Sequence, residues 1–214
     1  YGSTESSPHS LVRLNDTREH TEETDGCAVD GVEIRVVDDA RHEVPHGQEG
    51  EEASRGPQVF VGYWGEPEMT ARALDADGWY YSGDYCRTDS EGRYIRITGR
   101  KKDIIVRGGE NISSREVEDI VLEYPGVREA AVVAMPDERL GERSCACVSM
   151  GPRAPALHLT DLVAFFDGRR VAKYKFPEYL VVLDALPRTS SGKLQKFALA
   201  RMVRERVAAG QPSD

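Results

Sequence analysis

Three segments far apart in the chain hold residue types suited to phosphates and carboxylates. Tyr1-Gly2-Ser3-Thr4-Glu5 sets an aromatic ring, a hydroxyl and a carboxylate in a row. Such a string can stack a base, touch a phosphate and hold Mg²⁺ through its carboxylate, the kind of ligand that hard cation prefers. Ser82-Gly83-Asp84 follows the aromatic run Trp79-Tyr80-Tyr81. A carboxylate on a turn after a strand can accept hydrogen bonds from a diol, as an acidic residue does for ribose in dinucleotide folds, and an aspartate also serves simply as a turn residue. Pro187-Arg188-Thr189-Ser190-Ser191-Gly192-Lys193 combines hydroxyls, glycine and lysine. A phosphate loop would need glycine where Pro187 stands and serine or threonine where Leu194 stands. What remains is a lysine on a loop before a helix. It is either a solvated surface residue or a compact charge able to swing onto a phosphate or carboxylate.

Between the second and third segments lies a charged joint, Gly99-Arg100-Lys101-Lys102-Asp103, followed by Ile104-Ile105-Val106 and the pair Gly108-Gly109. The clustered charge reads as exposed and the apolar run as the start of a new core. The two glycines permit backbone that side chains forbid, either for a turn or for close approach of a ligand.

The elements that must position these groups change character at the joint. Residues 1–26 are polar and, in isolation, read as loop or disorder. Val32, Ile34 and Val36 alternate with Glu33 and Arg35 as a half-buried strand. Short strands at Val59-Phe60-Val61, Trp79-Tyr80-Tyr81 and Tyr94-Ile95-Arg96-Ile97 follow, with a short helix begun by Pro67. Beyond Lys102 the pattern is mixed. Ser113-Ser114-Arg115-Glu116 reads as a capping box for a helix with Val117, Ile120 and Val121 on one face. Strands are predicted over residues 127–135, 143–150 and 179–183. Thr160-Asp161 caps a helix carrying Leu162, Val163, Phe165 and Phe166, and a last helix spans about residues 195–207 with Leu199, Met202, Val203 and Val207 inward. The fold class expected is α+β: a β-rich first part, then a small α+β domain with a three-stranded sheet and flanking helices.

Composition excludes several roles. With 39% hydrophobic and 30% charged residues the chain can bury cores yet stay soluble, and no apolar run reaches the length of a membrane span. A net charge of −9 argues against a general nucleic-acid binder. Cys27, Cys86, Cys145 and Cys147 lack metal-site spacing and read as small core residues in a reducing compartment, the cytoplasm. The first residue is Tyr1, so the chain reads as the carboxy-terminal piece of a longer protein. Oligomeric state is left open.

Taken in order, Tyr-Gly-x-Thr-Glu, Trp-x-x-Ser-Gly-Asp, Gly-Arg-x-Lys-Asp…Gly-Gly-Glu-Asn-Ile and Pro-Arg-Thr-x-Ser-Gly-Lys resemble the adenylate-forming enzymes. These include acyl- and aryl-CoA synthetases, peptide-synthetase adenylation domains and beetle luciferases. The strand Ile104-Ile105-Val106 and the close Ser191-Gly192-Lys193 look like a CoA ligase. The segments 107–116 and 171–175 most resemble bacterial short- and medium-chain fatty-acyl-CoA and cyclohexanecarboxylate-CoA ligases. The resemblance implies that a carboxylic acid, Mg-ATP and coenzyme A are substrates, that an acyl-adenylate forms, and that the acyl group then passes to the thiol. Tyr1 would line the adenine site, Thr4 contact phosphate, and Glu5 hold Mg²⁺. Asp84, helped by Arg100, would bind the ribose. Lys193 would bridge carboxylate and phosphate oxygens during adenylation. Lys102 would be the hinge, and Gly108-Gly109 would line the passage for the phosphopantetheine arm. It also implies three parts: residues 1–99 as the β-rich end of a large domain, 100–103 as hinge, and 104–214 as a small lid domain. In this family the ATP phosphate loop and the acyl pocket precede the segment beginning at Tyr1, so this piece alone is expected to be inactive. Two other readings remain: an adenylation domain serving a carrier-protein thiol, and a non-catalytic binding module.

Overall fold

The computed structural model describes residues 1–208, with side chains to residue 206; the Val207 side chain, expected to face inward, lies outside the described residues. The chain divides into two units, Tyr1–Lys102 and Asp103–Asp214. Among the described residues, no helix is long and apolar enough to cross a membrane.

In the first unit, β1 (Ser10–Leu11) pairs antiparallel with β2 (Cys27–Ala28), and α1 (Arg18–Glu23) lies between them in the chain. Thr17 caps α1, its hydroxyl accepting from the His20 amide. A four-stranded antiparallel sheet follows in the order β3 (Glu33–Val37), β4 (Gly50–Arg55), β5 (Tyr80–Thr88) and β6 (Ile95–Arg100), with α2 (Pro67–Ala73) inserted before β5. Val37, Ala53, Trp79 and Tyr81 form a small core, and the guanidinium groups of Arg35 and Arg55 lie 4.0 and 4.6 Å from the centre of the Trp79 ring.

Residues 1–26, loop or disorder when read in isolation, are tied down in the fold: Ser6, His9 and Ser10 are fully buried and hydrogen-bond to partners far along the chain. Two expectations need correction here. Val59-Phe60-Val61 is not a strand: Val59 forms one isolated bridge with Ser6 and Val61 stands in solvent. Tyr80, next after Trp79, opens a nine-residue strand, so Ser82-Gly83-Asp84 lies inside β5 and not on a turn after it.

In the second unit, β7 (Ile104–Arg107) and β8 (Glu110–Ser113) form a hairpin that leads into α3 (Ser114–Leu122). Strands β9 (Val127–Asp137) and β10 (Gly141–Met150) pair antiparallel along their length. After α4 (Leu159–Asp167), β11 (Tyr179–Val182) adds to β10 in parallel, and α5 (Lys196–Ala208) closes the described chain. The α+β class holds, but this sheet has five strands and not three. The three expected strands are β9, β10 and β11; the hairpin joins them where Gly141 pairs with Arg107. Residues 110–113, which no expected strand covers, form β8, where Ile112 is in register with Ile105 and both are buried.

Alternation along the strands feeds two cores, one on each face. Val132, Ala146, Val148 and Leu180 meet Val117 and Val121 of α3 and Leu162 and Phe166 of α4. Ala131, Val133, Met135, Cys145, Cys147 and Val181 meet Leu199 and Val203 of α5. Each such leucine, valine or phenylalanine contributes about 1.5–3 kcal/mol by leaving water. The α4 cap is His158 rather than Thr160-Asp161, with the Asp161 carboxylate accepting from the His158 amide at 3.1 Å. All four cysteines are free and buried, and burial raises the Cys86 thiol pKa.

Candidate active site

Asp84 is presented by a bulge. Between the pairs Tyr81–Ala53 and Tyr85–Glu51, β5 carries three residues, Ser82 to Asp84, where β4 carries only Glu52. Gly83 absorbs the excess at φ +72°, with open space where a Cβ would lie. The bulge is held by the Ser82 hydroxyl donating to the Glu52 carbonyl (3.0 Å), the Gly83 amide donating to Glu51 Oε1 (3.0 Å) and the Asp84 amide donating to Ser82 Oγ (3.1 Å). Asp84 pairs in register with Arg100 on β6. That register sets Arg100 Nε 3.4 Å from Asp84 Oδ1, while the Tyr1 hydroxyl donates to Oδ2 at 2.5 Å.

The Tyr1 ring stacks on His9, with centroids 4.7 Å apart and planes 14° from parallel. Beneath, His9 Nδ1 is 2.8 Å from Ser54 Oγ and 3.3 Å from Glu52 Oε1, and all three residues are fully buried. Glu52 and Ser54 share one face of β4 by its period of two. Burial, and then the bond to Asp84, push the Tyr1 phenol far above its ordinary range. The ring is thus held neutral, against an imidazole on one side and a carboxylate at its tip.

These groups border a groove of about 770 Å³ whose lining includes Ser3, Glu5, Tyr80, Asp84, Arg100, Lys101 and Lys102. Glu5 accepts from the Tyr63 hydroxyl at 3.0 Å. Phe60 fixes that arrangement, because its amide donates to the Glu5 carbonyl (2.8 Å) and its ring meets Tyr63 and Tyr80 edge-on. Burial pushes the Tyr80 phenol up to about 12. Burial works against the charge of Lys101, but Asp39 and Glu51 at 2.8 and 2.9 Å outweigh it and raise its pKa. Thr4 is exposed. Lys102 is exposed and makes no ion pair among the described residues.

The structure therefore brings Tyr1, Asp84 and Arg100 together, with Glu5 and Lys102 on the same groove. A single carboxylate suits Mg²⁺, which keeps waters and substrate oxygens as its other ligands; among the described residues there is no group of three His, Cys, Asp or Glu side chains able to form an all-protein metal cage. Sequence reasoning missed His9, Glu52, Ser54 and Tyr63. The only available signal was a glutamate and a serine at alternate positions of Gly50–Arg55, in phase with a buried face.

The remaining candidates lie in the second unit. Gly108 (φ +60°) and Gly109 (φ +91°) are the two central residues of the β7–β8 turn. Positive φ at both positions is the primed turn that suits a tight hairpin. Lys193 is exposed and makes no ion pair among the described residues. Its loop is closed by the Thr189 amide donating to the Lys193 carbonyl (2.8 Å), the Gly192 amide donating to the Thr189 carbonyl (2.9 Å) and the Lys193 amide donating to Thr189 Oγ1 (3.0 Å). Gly192 sits at φ +84° at its tip.

Comparison with known proteins gives a consistent picture. The family model for AMP-binding enzymes matches residues 1–64, and that for the AMP-binding enzyme C-terminal domain matches residues 116–193. A medium-chain fatty-acid–CoA ligase of Escherichia coli is 64% identical over 97% of this chain and 36% of its own length. The ATP-bound structure of MatB from Rhodopseudomonas palustris is 35% identical with a TM-score of 0.79, over 85% of this chain and 36% of that one. The o-succinylbenzoate CoA synthetase of Bacillus subtilis, in complex with its acyl-adenylate intermediate, is 29% identical with a TM-score of 0.76, over 85% and 36%. The chain thus spans about a third of the length of the relatives it matches.

Proposed function

Because the chain belongs to the AMP-binding enzyme family, we propose that it is part of an ATP-dependent acyl-CoA synthetase. The complete enzyme joins a carboxylic acid to ATP, giving acyl-adenylate and pyrophosphate, then passes the acyl group to coenzyme A with release of AMP. The observation that carries this is Asp84 on its bulge, flanked by Tyr1 and Arg100 on an open groove. A carboxylate offers acceptors for both hydroxyls of a ribose, a neutral aromatic ring offers a face to adenine, and a guanidinium orients the carboxylate. The strong likeness to a relative named for medium-chain fatty acids favours CoA over a carrier protein as thiol acceptor and a medium-chain acid as substrate. It also favours fatty-acid metabolism.

Glu5 is the residue to hold Mg²⁺, which when bound neutralises phosphate charge; Thr4 offers its hydroxyl to the phosphates. Lys193 brings a cation to the carboxylate and phosphate oxygens, lowering their repulsion and the charge that builds in the transition state. Lys102 serves as the hinge and Gly108-Gly109 as bare backbone along the thiol's path. In the complete enzyme, Lys193→Ala should lower pyrophosphate release by about 100- to 1,000-fold or more and spare thioester formation from preformed acyl-adenylate. Retention of both half-reactions would refute the lysine assignment. A complete protein releasing no pyrophosphate with any of a panel of carboxylic acids would return the chain to a binding module.

A further inference from the structure

The turn that presents Lys193 is tied to the sheet by one side chain. Arg188 donates through Nη1 to the carbonyl of Gly192 at 2.8 Å and through Nη2 to Glu129 Oε1 at 2.5 Å. Glu129 lies on β9, and its other oxygen accepts from Ser149 Oγ at 3.0 Å, across the pair Ser149–Glu129 of β9 and β10. Arg128 Nη2 approaches the same oxygen at 3.6 Å. The loop's internal bonds all run among residues 187–195, so they fix its shape and leave its tilt on the sheet free. Leu186 and Leu194 anchor its two ends in the second core. Among the described residues, the fork of Arg188 is the side-chain link from the turn's tip to the strands.

Energetically this pair is modest. Arg188 and Glu129 are 46% and 23% exposed, and partly exposed ion pairs contribute little to stability. Geometrically it is specific, because a planar guanidinium holds two acceptors at once in fixed directions. One of those acceptors is the carbonyl that immediately precedes Lys193.

We propose that Arg188 and Glu129 are positioning residues for Lys193, acting as a clamp that sets the direction in which the lysine leaves the sheet. This rests on the reading of Lys193 as the adenylation lysine given above. A cation displaced by about 1 Å from its place in a transition state costs on the order of 100-fold in rate. The clamp therefore matters to one half-reaction more than to folding.

The test uses the complete enzyme carrying Arg188→Lys, Glu129→Ala, the double variant or Lys193→Ala. It reads single-turnover pyrophosphate release, thioester formation from preformed acyl-adenylate, and the urea midpoint. Arg188→Lys keeps the charge but cannot fork, and Glu129→Ala leaves the arginine without its anchor. Each should slow adenylation by about 10- to 100-fold, with thioester formation within about twofold of the parent and an unmoved midpoint; the double variant should be no slower than the worse single one, since both break one clamp. A parallel fall of both half-reactions, or a lowered midpoint, would show a merely structural pair and overturn the proposal. So would full adenylation activity in both single variants while Lys193→Ala is inactive. If Lys193→Ala itself adenylates normally, the reading of the lysine falls and the clamp falls with it, an outcome separable from the others by that one variant.

Discussion

Replacing Gly109 separates the two purposes that a double glycine can serve. Its φ of +91° lies where an L-residue is strained, and nothing stands within 4 Å of the position a Cβ would take. The cost of Gly109→Ala is therefore backbone alone, about 1–2 kcal/mol. Gly108→Ala should cost slightly more, because its Cβ would meet Leu140 Cδ2 at 3.3 Å, the end of a side chain able to yield. Gly109→Asn should cost less than half as much as alanine, since asparagine enters the left-handed region more readily. Urea denaturation of this chain, with midpoints converted through a common slope, measures all three. In the complete enzyme the pair splits function from folding. If bare backbone at Gly109 lines the thiol's path, Gly109→Asn keeps the turn yet slows thioester formation while adenylation proceeds. Equal costs for alanine and asparagine would refute the primed turn as the reason for glycine. An asparagine variant with unimpaired thioester formation would refute the passage and leave the glycines to the hairpin.

Two further outcomes follow from single contacts. If Glu5 holds Mg²⁺ as proposed, Tyr63→Phe in the complete enzyme, which removes the hydroxyl that donates to Glu5, should raise the Mg²⁺ concentration for half-maximal adenylation about 2- to 10-fold; an unchanged Mg²⁺ titration would refute that role for the carboxylate. Asp137 is held below the usual carboxylate range, chiefly by the Leu140 amide and then by the Arg139 amide and Arg143, against the opposing effect of burial. A carboxylate depressed in the folded state lends stability above its unfolded pKa and loses it as pH falls through the folded one. Asp137→Asn should thus destabilise the chain at pH 7 and flatten the loss of stability below about pH 4, and identical acid limbs in urea titrations would refute the assignment.

What the sequence disclosed depended on how local the cause was. The apolar face of α3, the proline at the start of α2 and the strands β9, β10 and β11 follow from spacing within a dozen residues. The β7–β8 hairpin did not, because Glu110 and Asn111 interrupt the apolar pattern and only the partner strand makes sense of Ile112. Asp84 and Lys193 could be singled out as chemical groups, but their supports could not. Glu52, Ser54 and His9 are polar residues that look like surface until β1, β4 and β5 come together. The burial of His9 is a property of a partner 45 residues away and leaves no period to read, whereas Glu52 and Ser54 leave only their alternation along β4.

One device recurs at two of the charged candidate groups. Asp84 directly follows Gly83 at φ +72°, and Lys193 directly follows Gly192 at φ +84°. At neither glycine would a Cβ meet any neighbour within 4 Å, so neither is there to save space. Each reverses the local backbone so that the next side chain departs in a direction regular strand or turn geometry would not give. Each is then fixed by a charged side chain on its peptide, Gly83 by the Glu51 carboxylate on its amide and Gly192 by the Arg188 guanidinium on its carbonyl. A glycine alone would supply freedom without direction. A glycine with one charged partner on its peptide supplies an unusual direction that is also a rigid one, which is what a group meant to meet a substrate atom requires.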